Sequence, residues 1–172
     1  MRQNTDKILL GFTAVLAAAL VWVVYPTLEQ RVVNAGDPAP EFKVVTDHGK
    51  TLTRADFGGK LLVLNFWATW CPPCINEIPS LDAFQRQFAS QGVVVLGVSI
   101  DKNEMLYKRF LQRFRVSFET TRDPEAKVPT DYGTFQFPES YIIDSSGQVV
   151  EKIISDQNWM EPQFVARIKK ML

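Results

Sequence analysis

The sequence predicts an α/β domain, a sheet covered on both faces, carried behind a single apolar N-terminal segment. Three observations predict it. Leu61–Trp67 and Val93–Ile100 are nearly continuous apolar runs, as expected of strands buried on both faces of a parallel sheet, and each leads into a stretch with helical spacing. The C-terminal part closes as a hairpin followed by a helix, with no internal repeat. Ile8–Tyr25 holds eighteen consecutive residues without a charge.

That uncharged run comes first in the chain. A helix rises about 1.5 Å per residue, so roughly twenty residues cross the hydrocarbon core of a bilayer. Trp22 and Tyr25 suit the membrane interface, and Pro26 is expected to stop the helix by removing a donor. Arg2 and Lys7, offset by Asp6, precede the run. By the positive-inside rule the N-terminus then stays cytoplasmic and everything after Pro26 lies outside. A cleaved signal peptide is the competing reading. It would have an apolar region of about 7–15 residues and a small-x-small cleavage site, whereas bulky Val21-Trp-Val-Val-Tyr25 stands in that place. The expectation is an uncleaved signal anchor over residues 1–25, a linker over 26–36 and a domain over 37–172.

Within the domain, Phe42–Thr46 reads as a short strand, Asp47–Lys50 as a turn, and Thr51-Leu52 as a second short strand. Gly58-Gly59 breaks the chain before Leu61–Trp67. From Pro72 to Phe88, Ile75, Ile78, Leu81, Phe84 and Phe88 recur every three or four residues, so a helix follows. After Val93–Ile100 a second helix is expected over Asp101–Phe114, with Met105, Leu106, Phe110, Leu111 and Phe114 facing inward. Ser117–Thr134 shows no clear periodicity. Tyr141–Asp144 and Val149–Ile154 flank a Ser145-Ser-Gly147 turn as a hairpin, and Trp159–Leu172 closes as a helix with Phe164, Val165, Ile168 and Leu172 inward.

Composition narrows the function. Hydrophobic residues make up 46% and charged residues 22%, so the chain is neither disordered nor of low complexity. Lys plus Arg and Asp plus Glu are 19 each, which removes the basic surplus of a dedicated nucleic-acid binder. Two cysteines build neither a disulfide-rich scaffold nor a four-cysteine metal site, and one histidine, His48, removes most His-based metal and triad chemistry. His48 itself reads as a surface turn residue.

Both cysteines lie in Trp70-Cys71-Pro72-Pro73-Cys74, where a strand gives way to a helix. Residues i and i+3 are neighbours on a helix, so the two sulfurs can approach bonding distance. Cys71 sits near the N-cap, where free N–H groups and the positive helix end favour a thiolate, and prolines suit the next positions because their missing donors would be orphans anyway. Helix-terminal CxxC thiols titrate below the free value of about 8.5. Cys71 is therefore the expected nucleophile, and Cys74, one turn in, the resolving thiol. A structural disulfide is the first alternative, but its short loop gives little chain-entropy stabilisation. Half of a zinc site is the second, with only His48 left to complete it. Copper(I) carried by the two sulfurs is the third, with no nearby Met or His to finish the site.

The segment Leu64-Asn-Phe-Trp-Ala-Thr-Trp-Cys-Pro-Pro-Cys74 resembles the active-site segment of the TlpA/ResA/CcmG group of membrane-anchored bacterial thiol–disulfide oxidoreductases. Gly36-Asp-Pro-Ala-Pro-Glu-Phe42, Asp56-Phe-Gly-Gly-Lys60, Tyr132-Gly133 and Pro138-Glu-Ser-Tyr-Ile-Ile-Asp144 with Gly147 and Val149 are similar to further blocks of that group, in order, from Gly36 onward. The resemblance implies a thioredoxin-like fold, a central mixed sheet with helices on both faces. It implies that Pro138 is cis and faces the cysteines, leaving the backbone of Phe137 to pair with an incoming peptide, against the alternative of an ordinary trans proline at a strand start. Phe137 is bulkier than the small residues often found there. Glu77 matches a family position that often carries a partly buried acid, able to shuttle the Cys74 proton; the alternative is a solvated helix glutamate. Asn65 stands where thioredoxin has a buried aspartate, which leaves Glu77 as the nearest acid. Trp67 and Trp70 either shield the disulfide or pack the strand end.

The function so implied is reduction of protein disulfides outside the cytoplasmic membrane, such as those of apocytochrome c haem-attachment motifs, by a monomeric domain. A transmembrane thiol–disulfide electron transporter would recharge it, and no cofactor or metal is expected. The competing activities are a disulfide-introducing oxidant, a peroxide reductase on a related fold with Thr69 beside the reactive cysteine, and a copper-binding module.

Overall fold

The computed structural model describes residues 2–28 and 32–172, with side chains at 7, 10–23 and throughout the second stretch. The chain divides into two compact units between Arg31 and Val32. The first is one helix, α1 (Arg2–Leu28), which passes through Pro26 instead of stopping there, a proline so near the end costing only one hydrogen bond of the last turn. Leu10, Phe12, Val15, Leu16, Leu20, Val21 and Trp22 are exposed along it. Among the described residues no helix is long and apolar enough to cross a membrane. The span expected over residues 8–25 takes in Ile8, Leu9, Val24 and Tyr25, whose side chains lie outside the described residues.

The second unit is built on a five-stranded mixed sheet. In chain order its strands are β3 (Leu61–Trp67), β4 (Val93–Ser99), β5 (Glu119–Arg122), β6 (Glu139–Ile143) and β7 (Val149–Ile154), arranged β5-β4-β3-β6-β7. β3, β4 and β5 run parallel, whereas β6 and β7 run antiparallel to their neighbours. β3 is buried at all seven positions, which is why its sequence shows no alternation. A separate hairpin, β1 (Lys43–Val45) with β2 (Thr51–Thr53), leads into a 3-10 turn at Arg54–Phe57. The compact unit takes in more than the expected domain, since Val33 is buried and the Gly36 N–H donates to Val149 O at 2.8 Å.

The two faces are covered differently. Leu61, Val63, Val93, Val95 and Ile142 face α2 (Pro72–Phe88) and α5 (Pro162–Lys169), through Leu81, Phe84, Phe88, Phe164 and Ile168. α3 (Glu104–Phe114) lies against the same side at the end of β3, with Tyr107 and Phe110 on Trp67. Leu62, Leu64, Phe66, Leu96 and Val98 face the β1–β2 hairpin and the short α4 (Lys127–Asp131). The longer helices thus share one face, and the other is closed mainly by a hairpin. Gly97 on β4 makes room between the rings: a Cβ there would stand 2.8 Å from Phe118 and 3.1 Å from the Trp67 indole nitrogen.

Several sequence expectations change in detail. Met105 and Leu106 are exposed, not inward, because the buried face of α3 is set by Tyr107 and Phe110; the Tyr107 hydroxyl also bonds the Asp47 carboxylate. α3 starts at Glu104, since Asn103 caps it by accepting the Leu106 N–H at 3.1 Å. At the C-terminus the helix begins at Pro162; Trp159 is buried in the turn before it, and Leu172 is exposed. The unread stretch Ser117–Thr134 supplies an edge strand, β5, and α4.

Candidate active site

β3 delivers the chain to the site and α2 takes it away. Asp101, just past β4, fixes the loop between them: its carboxylate accepts the Thr69 N–H at 2.8 Å, the Thr69 hydroxyl at 2.6 Å and the Ser99 hydroxyl at 2.6 Å. Cys71 is then the N-cap of α2. Its Sγ accepts the Cys74 N–H at 3.3 Å, and Pro72 and Pro73 occupy the first turn where no donors are needed. Cys71 and Cys74 are joined in a disulfide, with Cα atoms 5.3 Å apart. Trp67, Ile78, Tyr107 and Phe110 close around the pair.

The two sulfurs are not equivalent. Cys74 is fully buried, while Cys71 keeps 5% of its surface and borders Trp70, which is 62% exposed. The Phe137–Pro138 bond is cis, and Phe137 O lies 3.6 Å from Cys71 Sγ. Trp70, Cys71, Phe137 and Pro138 are thereby gathered at one end of the sheet, where β3 stops and β6 starts. Trp67 packs the strand end behind the sulfurs, and Trp70 stands out in solvent.

Glu77 is buried, at 2% exposure, one turn along α2 from Cys74. One carboxylate oxygen accepts the Asn65 amide at 2.7 Å; the other accepts the Gln157 N–H at 3.2 Å and the Trp159 indole N–H at 3.3 Å. No cation is among these partners. Burial pushes its carboxyl up to about 7, although all three hydrogen bonds pull the other way. Asn65 also donates to Ser140 at 2.9 Å, and its own Oδ1 is buried without a partner among the described residues. The acid therefore belongs to a network spanning β3, α2, β6 and the loop before α5.

The sequence pointed to both cysteines, Glu77, Trp70, Phe137 and Pro138, and the structure brings them to one end of the sheet. It did not point to Ser140, Gln157, Trp159 or Asp101. Gln157 acts through its backbone, and Trp159 is separated from Glu77 by 82 positions, so local spacing carries no sign of either. Asp101 was the one readable case, a polar residue right after a buried strand. His48 is exposed and lies 3.3 Å from Glu119, away from the cysteines. Among the described residues no cluster of His, Cys, Asp and Glu could hold a metal ion.

Comparison with known proteins agrees with this geometry. Residues 35–152 match the AhpC/TSA family. The thiol–disulfide oxidoreductase ResA of Bacillus thuringiensis (strain Al Hakam) is 30% identical over 173 residues, covering 99% of each chain. That of Geobacillus thermodenitrificans is 33% identical over 142 residues, 81% of each chain. A crystal structure of a putative thiol:disulfide interchange protein DsbE from Chlorobium tepidum superposes with a TM-score of 0.75 at 27% identity, covering 81% of this chain and 98% of that one. StoA from Bacillus subtilis, at 20% identity and a TM-score of 0.64, shares the fold. With a reactive-cysteine pair at the helix start of such a fold, the chain belongs to the AhpC/TSA family as a thioredoxin-fold thiol–disulfide oxidoreductase.

Proposed function

We propose that this oxidoreductase is a membrane-tethered reductant of protein disulfides outside the cytoplasmic membrane. The asymmetry of the site carries the reading: Cys71 keeps a little surface beside the Phe137 carbonyl, while Cys74 is sealed one helical turn from Glu77, whose carboxyl burial pushes up to about 7. In the dithiol form, the Cys71 thiolate attacks a partner's disulfide. The partner's S–S bond breaks, one partner sulfur leaves as a thiolate and takes a proton, and a mixed disulfide forms. Cys74 then gives its proton to Glu77 and attacks Cys71 Sγ; the mixed S–S bond breaks, and the second partner sulfur leaves as a thiolate and takes up the proton that Glu77 gives back. Two electrons and two protons pass to the partner, and the Cys71–Cys74 disulfide remains. Glu77 suits the proton step because a base works best with a pKa near the working pH. Phe137 supplies the backbone edge for the incoming strand, and Trp70 the apolar surface next to it.

Apocytochrome c haem-attachment cysteines fit as substrates, since an oxidising compartment closes them and haem attachment needs them open. A transmembrane thiol–disulfide transporter would regenerate the dithiol. Residues 8–25 would anchor the chain with its N-terminus cytoplasmic, which the uncharged run and the exposed apolar side chains of α1 support. Tethering raises the effective concentration at membrane partners.

The reduction potential of the Cys71–Cys74 pair tests the direction of transfer. Known proteins run from about −270 mV for thioredoxin to about −120 mV for a strong oxidant. A value toward the thioredoxin end is expected; one near −120 mV would reverse the assignment. Cys74→Ser should accumulate mixed disulfides with substrates, and their identification by mass spectrometry names the partners. A reporter fused after Leu172 checks the expected topology.

A further inference from the structure

Beside the cysteines, along α3, the surface opens into a groove of about 1050 Å³. Its volume is at the upper end of the range for ligand sites, about 300–1,000 Å³. Trp70 and Leu106 form its walls and Ile75, Phe110 and Phe114 its apolar lining, so it begins at the residue next to Cys71. Leu106 is 52% exposed on a helix whose other face is well packed, and with Trp70 it leaves large apolar surface in water beside a reactive sulfur.

The rim is cationic. Lys102, Arg109 and Arg113 border the groove, against Asp101 and Glu125. The side chains of Lys102 and Arg109 have no ion-pair partner among the described residues, and Arg113 only stacks on Phe114, at 5.9 Å. Asp101 turns its carboxylate inward, to Thr69 and Ser99, and is buried. Three open cations thus face one open acid on a chain of zero net charge. Unpaired cations around an apolar trough are complementary to a peptide carrying carboxylates around an apolar anchor.

We propose that this groove docks the segment flanking the target cysteine of the substrate protein, and that it selects segments pairing an apolar or aromatic residue with acidic neighbours. The proposal rests on the reductase reading and adds its substrate class: acidic, apolar-flanked disulfides. The substrate would meet the protein on two sides of Cys71, with backbone at Phe137 and side chains in the α3 groove.

Two cyclic disulfide peptides test it, identical except that Leu-Glu-Glu or Leu-Lys-Lys follows one cysteine. With the full chain in detergent, kcat/KM for the acidic peptide should exceed that for the basic one by about tenfold at low ionic strength, and the ratio should shrink toward one in about 1 M salt. Arg109→Glu with Arg113→Glu should bring the ratio below one, whereas Arg109→Lys with Arg113→Lys should keep it. If the reversed variant does not fold, the Gln pair should still collapse the ratio. Equal rates for both peptides in the unmodified protein, or a ratio indifferent to charge reversal, would overturn the groove assignment. Reduction of bis(2-hydroxyethyl) disulfide reports the redox chemistry separately. Anisotropy of labelled peptides with Ser in place of Cys reads docking alone: preference for the acidic one supports the groove whatever the redox outcome, and no preference refutes it.

Discussion

Two buried glutamates sit at the same end of the central sheet, on opposite faces, and the groups that bond them differ in kind. Glu77 is held on the α2 side by Asn65, Gln157 and Trp159, all neutral donors. Glu139 begins β6 directly after Pro138 and is 1% exposed. Its Oε1 pairs with the Lys152 ammonium at 3.0 Å, accepts the Thr134 hydroxyl at 2.8 Å, and is also bonded by the Tyr141 hydroxyl. β3 shows the same division, with Asn65 paired to Ser140 toward Glu77 and Phe66 paired to Glu139 toward Lys152. Burial alone therefore does not make an acid functional. At Glu77 neutral donors do not offset the burial that pushes its carboxyl up to about 7, whereas Glu139 has the Lys152 ammonium beside it.

The largest effect should come from breaking the ion pair. Lys152 also donates to Val33 O at 3.2 Å and lies 5.2 Å over the Tyr141 ring. Lys152→Met would leave Glu139 buried and unpaired, and should cost about 3–5 kcal/mol in chemical denaturation at neutral pH. Much of that loss should return in Lys152→Met with Glu139→Gln.

The next effect is a pH dependence that comes from Glu77. Glu77 has its folded pKa raised from 4.5 to about 7. Below the ordinary value both states are protonated and this group's contribution is fully present. As pH rises toward 7 the unfolded chain releases its proton first, so stability falls through that window and the contribution is gone above it. At about 1.4 kcal/mol per pKa unit the loss is about 3–4 kcal/mol. Denaturation at pH 4, 5.5, 7 and 8 should show this slope in the natural chain and lose it in Glu77→Gln. The same variant should remove an inflection near pH 7 from the rate of mixed-disulfide resolution, measured by stopped flow.

Smaller still, Trp159→Phe removes one neutral donor from Glu77. It should cost about 1 kcal/mol and move the inflection upward, because the lost hydrogen bond favoured the charged form. The smallest effect is a surface reference: Lys108→Ala, which removes the exposed Glu104–Lys108 pair, should change stability by no more than about 0.5 kcal/mol.

How much of this was legible depended on whether the buried residues were apolar. β3 and β4 were readable because, Asn65 and Ser99 apart, the side chains that enter the sheet there are apolar. β5 was hidden because its inward residues are Thr120 and Thr121, whose hydroxyls satisfy Asp47 and Val45 O. Tyr107, a polar-tipped residue absent from the expected inward set, lies on the buried face of α3. At the site, Cys71 and Cys74 announce themselves through spacing. The contrast between Glu77 and Glu139 does not, since the partners that decide it, Trp159 and Lys152, come from distant parts of the chain.

The empty place at Gly97 has a practical consequence for anyone redesigning this scaffold. One added methyl group in the middle of β4 would meet the ring of Phe118 and the indole of Trp67 together, and the same indole forms the backstop of both sulfurs. An alanine scan across the sheet would thus displace a ring that packs with Cys71 and Cys74, from a position outside their cluster.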